Sequence, residues 1–304
     1  MYVPTPSLRT RARRIAATVL GLAMVLVVGL GSVAAVDPGD LFANEPSPPP
    51  PRPVRVFEPP TIPRPVPVRT PVVVETVGFD VSWPQCNDEL PASGFAIVGV
   101  NRGRTYSEND CLVEQLDWAG RDADLYLNTG NPGPHHSLFW PVGQSGPVTC
   151  DRRDADSDEC AYLYGWNAAA DGYARVLAAN VALGWVDADA DRVQTEGTWW
   201  LDVETANSWR LDHTLNVATL HGAVDFLESM EVEEVGFYST PLLWWRVTRG
   251  TDDFADYPAW HAGGHTRSGA EDRCEGNAFT GGELRMVQWV EGGLDRNVSC
   301  ASAT

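Results

Sequence analysis

Between residues 77 and 298, short apolar runs recur eight times, and several are separated by stretches with helical spacing. The runs are VGFDVS (77–82), FAIVGVN (95–101), ADLYLNT (123–129), TWWLDVE (198–204), EVGFYS (234–239), PAWHA (258–262), RMVQWV (285–290) and LDRNV (294–298). Runs of this length, rich in β-branched, aromatic and aliphatic residues, read as strands. Residues 162–184 and 215–230 instead place apolar residues at a period near 3.6, the pattern of amphipathic helices. Thr240 followed by Pro241 is a helix N-cap and first turn. Strands alternating with helices argue for βα units and a mainly parallel sheet. Eight strands in a domain spanning 75–304 suit an α/β fold, a TIM-like (β/α)8 barrel. The last two runs leave little room for a helix between them, so the expected barrel is irregular.

The chain before the barrel has a different character. Arg9, Arg11, Arg13 and Arg14 precede an unbroken apolar stretch at 15–36. Basic residues followed by an apolar segment mark an export signal, and the stretch is also close to the roughly 20 residues that span a bilayer. Residues 1–36 are therefore a signal peptide or a membrane anchor. In either case the remainder is expected outside the cytoplasm, because the positive flank stays inside. Residues 37–74 are dense in proline and lack hydrophobic periodicity, which describes an extended, semi-rigid linker.

Cysteine usage agrees with export. Cys86, Cys111, Cys150, Cys160, Cys274 and Cys300 make an even set, as a disulfide framework requires. The sequence does not choose a connectivity; pairing neighbours gives 86–111, 150–160 and 274–300. No C-x-x-C spacing suggests zinc. Charge narrows the partners. The formal net charge is −19, and the four N-terminal arginines mask part of it: beyond residue 36 the chain carries 41 acids against 18 arginines. Such a surface repels nucleic acid. The acidic stretches at 151–159 and 187–191 lack the glycine and glutamate of a calcium loop and read as solvated loops. His135 and His136 are adjacent in a loop, without a further ligand at useful spacing. No metal and no cofactor is expected.

The chemistry lies in carboxylates that interrupt the strands. In TWWLDVE, alternation places Trp199, Leu201 and Val203 on one face and Trp200, Asp202 and Glu204 on the other. The apolar face suits packing on helices. The second face then carries two acids late in the strand, at the end where such barrels build their sites. Asp80 sits late in the first run and Asp295 in the last, and first and last strands are neighbours in a closed barrel. Asp80, Asp202, Glu204 and Asp295 are expected at one mouth. Clustered carboxyls repel, so at least one should keep its proton at neutral pH. That arrangement serves glycosidic cleavage, in which one acid protonates the leaving oxygen and another carboxylate stabilises the cationic centre. Trp83, Trp200, Trp260 and Trp289 could stack on sugar faces.

Several motifs resemble glycoside hydrolase family 25, the bacterial and phage muramidases. GFDVSWPQ is similar to that family's opening, WWLDVE to its D-x-E strand, GFYST to a strand with a tyrosine at Tyr238, and PAWHA to a strand with a tryptophan at Trp260. MVQWVEGGLDRN resembles its ending, with Gln288 at the glutamine and Asp295 and Asn297 in a D-x-N motif. The likeness spans about 77–298 in order, and is nearest to exported, lysozyme-like actinobacterial proteins. It implies Glu204 as general acid and Asp202 as an assistant that orients or stabilises an intermediate formed with the substrate's own N-acetyl group. Asp80 and Asp295 would complete the carboxylate cluster. Trp200, Tyr238, Trp260, Gln288, Trp83 and Asn128 would bind sugar, with peptidoglycan as the implied partner. The chain departs from the family in its second and third strands, VGVNRG with Asn101 and LYLNTG with Asn128. Pro84 stands where the family has tryptophan, and the cysteines and a 141–160 insertion are additional. A glycan-binding envelope protein on the same barrel is the alternative function. A metal-dependent phosphodiesterase would need histidine ligands near the strand ends, which the sequence lacks.

Overall fold

A computed structural model describes residues 77–300; the expected signal or anchor and the whole of the expected linker lie outside the described residues. Eight strands close into a barrel in sequence order: β1 (Val77–Val81), β2 (Ala96–Gly99), β3 (Asp124–Asn128), β4 (Thr198–Asp202), β5 (Glu234–Ser239), β6 (Ala259–Gly264), β7 (Leu284–Glu291) and β8 (Leu294–Ser299). Neighbours from β1 to β7 pair in parallel, whereas β8 runs antiparallel to both β7 and β1. The irregularity expected at the last two strands is thus a hairpin. Gly292 and Gly293 turn it with φ of 66° and 81°, the left-handed pair that a tight hairpin turn takes up and that glycine adopts without steric cost.

Among the described residues five α-helices decorate the barrel: α1 (Leu112–Ala119), α2 (Asp158–Ala182), α3 (His213–Ser229), α4 (Pro241–Thr248) and α5 (Arg267–Arg273). No α-helix joins β1 to β2, only a 3-10 turn at Trp83–Gln85. The longest helix begins earlier than its apolar pattern. The Ser157 side chain accepts from the Cys160 amide, and Asp158 and Glu159 occupy the first turn, where acids favour the helix N-terminus. Thr240 caps α4 as its sequence suggests, accepting from Leu243 N at 3.1 Å. The short helices α1 and α5 carry too few turns to show a period and were not read from sequence. Among the described residues no helix is long and apolar enough to cross a membrane.

Two layers form the core. Trp199, Leu201 and Val203 pack outward with Leu125, Leu127, Leu220 and Phe237 between sheet and helices. Ile97, Trp200, Trp260 and Met286 fill the lumen. Alternation on β4 therefore divides as its sequence implies, but the strand stops at Asp202 rather than Glu204. Val203 N still donates to Tyr238 O, after which the Asn207 amide returns to Glu204 O at 3.1 Å and turns the chain away. Glu204 stands on the loop just beyond the strand. The three disulfides join Cys86–Cys111, Cys150–Cys160 and Cys274–Cys300. They fit an extracytoplasmic, oxidising setting.

Candidate active site

The barrel mouth holds a cavity of about 230 Å³ whose lining includes Asp80, Asp202, Glu204 and Asp295. β1 and β4 run toward the mouth and deliver Asp80 and Asp202 near their C-terminal ends. β8 runs the other way, so its second residue reaches the same rim: Asp295 stands opposite Asp80 in the antiparallel register. Reversal of the last strand turns an early position into a mouth position.

Asp80 is the most constrained of the four. Gln288 Nε2 donates to both its oxygens at 3.1 Å, and Asn297 Nδ2 donates to Oδ2 at 2.6 Å. Both amides are oriented from behind. Trp260 Nε1, which can only donate, gives its hydrogen to Asn297 Oδ1 at 2.9 Å. Tyr238 Oη donates to Gln288 Oε1 at 2.8 Å. Burial and the charge of Asp295 nevertheless push Asp80 up to about 7, against the downward pull of the two amides. Asp80 is thus a buried acceptor balanced between its two protonation states near neutral pH.

Asp202 is 3 % exposed. Asn128 Nδ2 donates to its Oδ2, while its buried Oδ1 has no partner among the described residues. Burial first, and the charge of Glu204 second, hold its carboxyl well above the ordinary range. Glu204 is only half-buried, and no side-chain donor among the described residues reaches its carboxyl. Burial and then the charge of Asp295 raise it. Asp295 is raised by burial. Buried carboxyls that sense one another's charge favour keeping a proton within the group, because ionising all of them sets like charges together in a low-dielectric site.

The remaining expected site residues divide. Trp83 lies at the rim, 40 % exposed, with the Arg102 guanidinium 5.0 Å from its ring. Asn128, Tyr238, Trp260 and Gln288 line the cavity. Trp200 does not. It is 1 % exposed, packs edge-on to Trp260 at 5.9 Å, and donates Nε1 to Asp124 Oδ2 at 2.9 Å. Two residues along a strand is about 7 Å, so sharing a face with Asp202 puts Trp200 one layer deeper, in the floor. Trp289, also considered as a stacking residue, packs with Val287, Val298 and Cys300 away from the lumen. Tyr126 lines the cavity and was not singled out from sequence; its place two residues before Asn128 on β3 was the available signal. Gly99 makes room for it, since a Cβ there would lie 2.5 Å from the Tyr126 ring. The acidic stretch at 151–159 is mostly exposed to solvent, and Asp156 within it pairs with Arg210. Among the described residues no group of three or more His, Cys, Asp or Glu could hold a metal ion.

No family model matches the chain, and no curated protein matches it. Solved structures follow a similar chain course. The bacterial lysozyme from Streptomyces coelicolor is 15 % identical, with a TM-score of 0.45 over 75 % of this chain and 93 % of that one. The muramidase from Acremonium alcalophilum is 15 % identical, with a TM-score of 0.46 over 75 % and 95 %. The spore cortex lytic enzyme SleM from Clostridium perfringens is 16 % identical, with a TM-score of 0.45 over 75 % and 68 %.

Proposed function

We propose that the chain is an exported glycoside hydrolase acting on peptidoglycan, at the bond between N-acetylmuramic acid and N-acetylglucosamine. One observation carries the reading: four carboxyls from β1, the β4 end and β8 share a single cavity at the barrel mouth, and all four are raised. Cleavage of a glycosidic bond needs a protonated acid beside an acceptor that stabilises positive charge. Glu204 is the proton donor. It is the member of the Asp202–Glu204 pair that the solvent-facing side of the cavity reaches, and no side-chain hydrogen bond restrains it.

Asp202 assists. Its unpartnered Oδ1 is an acceptor waiting for a donor, and the N–H of a substrate acetamido group supplies one. A hydrogen bond to Oδ1 favours ionised Asp202, which leaves the shared proton on Glu204, where the leaving oxygen takes it. The acetamido group held this way is positioned to support the cationic carbon. Asp80 and Asp295 complete the cluster; Tyr238, Trp260, Gln288, Trp83 and Asn128 form its walls. The barrel domain, taken as 75–304, follows a proline-rich linker at 37–74 and a signal peptide or membrane anchor at 1–36.

Full-length protein should release reducing ends from purified cell wall. Glu204→Gln should lower the rate at least about 100-fold, the scale of a lost proton donor, with a melting temperature no lower than that of the wild type. Full activity in that variant removes the role given to Glu204. Tight glycan binding by the wild type without any turnover favours the alternative, a glycan-binding protein on this barrel.

A further inference from the structure

Beside the carboxylate cavity, on the β2–β4 side of the mouth, lies a second pocket of about 260 Å³. The same strand ends build both. Gly103, Asn128 and Glu204 line the first; Arg104, Thr129 and Asn207 line the second. Its outer wall is formed by Pro132 and residues 136–139, in the segment between β3 and α2 just before the 141–160 insertion. Phe139 is 53 % exposed and stacks face to face on Tyr106, with centroids 4.3 Å apart and planes 8° from parallel. Tyr106 meets Tyr164 of α2 edge-on at 5.5 Å, and Trp140 stacks on the same Tyr164 at 5.0 Å. The Cys150–Cys160 disulfide ties the far end of the segment to α2. Phe139 is therefore a ring fixed from behind with its other face left to solvent. Tyr106 holds a left-handed backbone, φ 57°, a costly conformation for a side-chain-bearing residue that surrounding structure must support.

Charge separates the two pockets. The first gathers four carboxyls and disfavours an anion. The second has Arg104, exposed and paired with no carboxylate among the described residues, in a chain of net charge −19. Arg102, two residues earlier, is already engaged with Asp110 at 3.4 Å. Asn207, in the same wall, is 8 % exposed, and its Nδ2 has no acceptor among the described residues.

We infer that this pocket is a second binding site, for a carboxylate-bearing unit of the glycan next to the sugar pair that lies across the acids. The apolar face of that unit stacks on Phe139 and its carboxylate pairs with Arg104. The charge gradient between the pockets sets the direction in which the polymer lies. Naming the polymer rests on the glycosidase reading; the pocket and its preference for an anion do not. Two sources supply the carboxylate, an acidic ether substituent on the sugar or an acidic peptide attached to it.

The full chain carrying Glu204→Gln, which keeps substrates intact, is titrated by calorimetry with three glycans of equal length. These are a neutral N-acetylglucosamine oligomer, strands stripped of peptide that retain sugar carboxylates, and strands bearing acidic peptides. At least one carboxylated glycan should bind about 10-fold more tightly than the neutral one. Comparing the two carboxylated forms identifies the source. Arg104→Ala should abolish the preference, and Phe139→Ala should weaken the preferred glycan about 10-fold. Binding of none of the three, or dissociation constants within twofold across both variants, overturns the site. The two readings fail separately. If wild-type protein cleaves glycan and neither variant alters KM on carboxylated strands, the glycosidase stands and the second site falls. If it cleaves nothing but the binding pattern holds, the site stands and the glycosidase falls.

Discussion

At Asp80 the chain spends four side chains on one carboxyl. Trp260 and Tyr238 turn the amides of Asn297 and Gln288 so that only N–H groups face it. Such a relay specifies an acceptor, and burial resists the charge that acceptance favours. Asp295 adds to that resistance at both Asp80 and Glu204. Replacing Asp295 with Asn removes a negative charge beside Glu204 and so makes ionised Glu204 easier to form. As Glu204 must be protonated to act, the alkaline limb of kcat/KM should move to lower pH in Asp295→Asn. A limb that stays in place or moves upward would show that another group donates the proton. Asp202→Asn should keep the Asn128 contact but lose the acceptor for the acetamido group. Its kcat should fall about 100-fold or more on acetamido sugars, with a smaller loss on substrates that lack that group.

Helices α2 and α3 lie close because glycine lets their backbones touch. A Cβ at Gly165 would sit 1.8 Å from Thr219 O, and one at Gly222 would sit 1.9 Å from Tyr162 O. Neither obstacle is a movable side chain. Gly165→Ala or Gly222→Ala should therefore cost about 3 kcal/mol or more by forcing the helices apart. At roughly 2–4 °C per kcal/mol for a domain of this size, thermal unfolding should fall by about 10 °C. The strands were legible because a buried strand needs an unbroken apolar run, and the carboxylates stood out against those runs. Trp200 was misplaced because alternation gives the face of a side chain and not its depth. The fate of Asp295 depended on the direction of β8, which a two-residue turn decides and an apolar pattern does not. The second pocket was illegible for a similar reason: Phe139 lies in a loop without period, and its platform exists only where Tyr106 and Tyr164 meet from distant parts of the chain.

For the whole molecule, buried titratable groups act on stability in opposite directions. Asp80 has a folded pKa of about 7 against 3.8 unfolded. Between those values the folded chain keeps a proton that the unfolded chain has released, so stability falls as pH rises through that window and is recovered below it. At 1.36 kcal/mol per unit, the full effect is about 4 kcal/mol. Asp202, Glu204 and Asp295 are raised as well and act with the same sign. His261, buried on β6 near Arg273, is pushed the other way, to about 4 from 6.5, chiefly by burial. The unfolded chain takes up its proton first, so His261 stabilises above 6.5 and that contribution is lost as pH falls toward 4, at most about 3 kcal/mol. From 4 to 6.5 the two effects largely cancel for Asp80 alone, and the other three carboxyls tip the balance toward acid. Wild-type protein should thus melt higher at pH 5 than at pH 8. His261→Asn should steepen that difference by removing the opposing group. Asp80→Asn should shrink it by removing one of the contributions of the favourable sign. Melting curves at constant ionic strength decide the matter, and a wild type that melts higher at pH 8 than at pH 5 would mean that the four acids do not share a proton-retaining site.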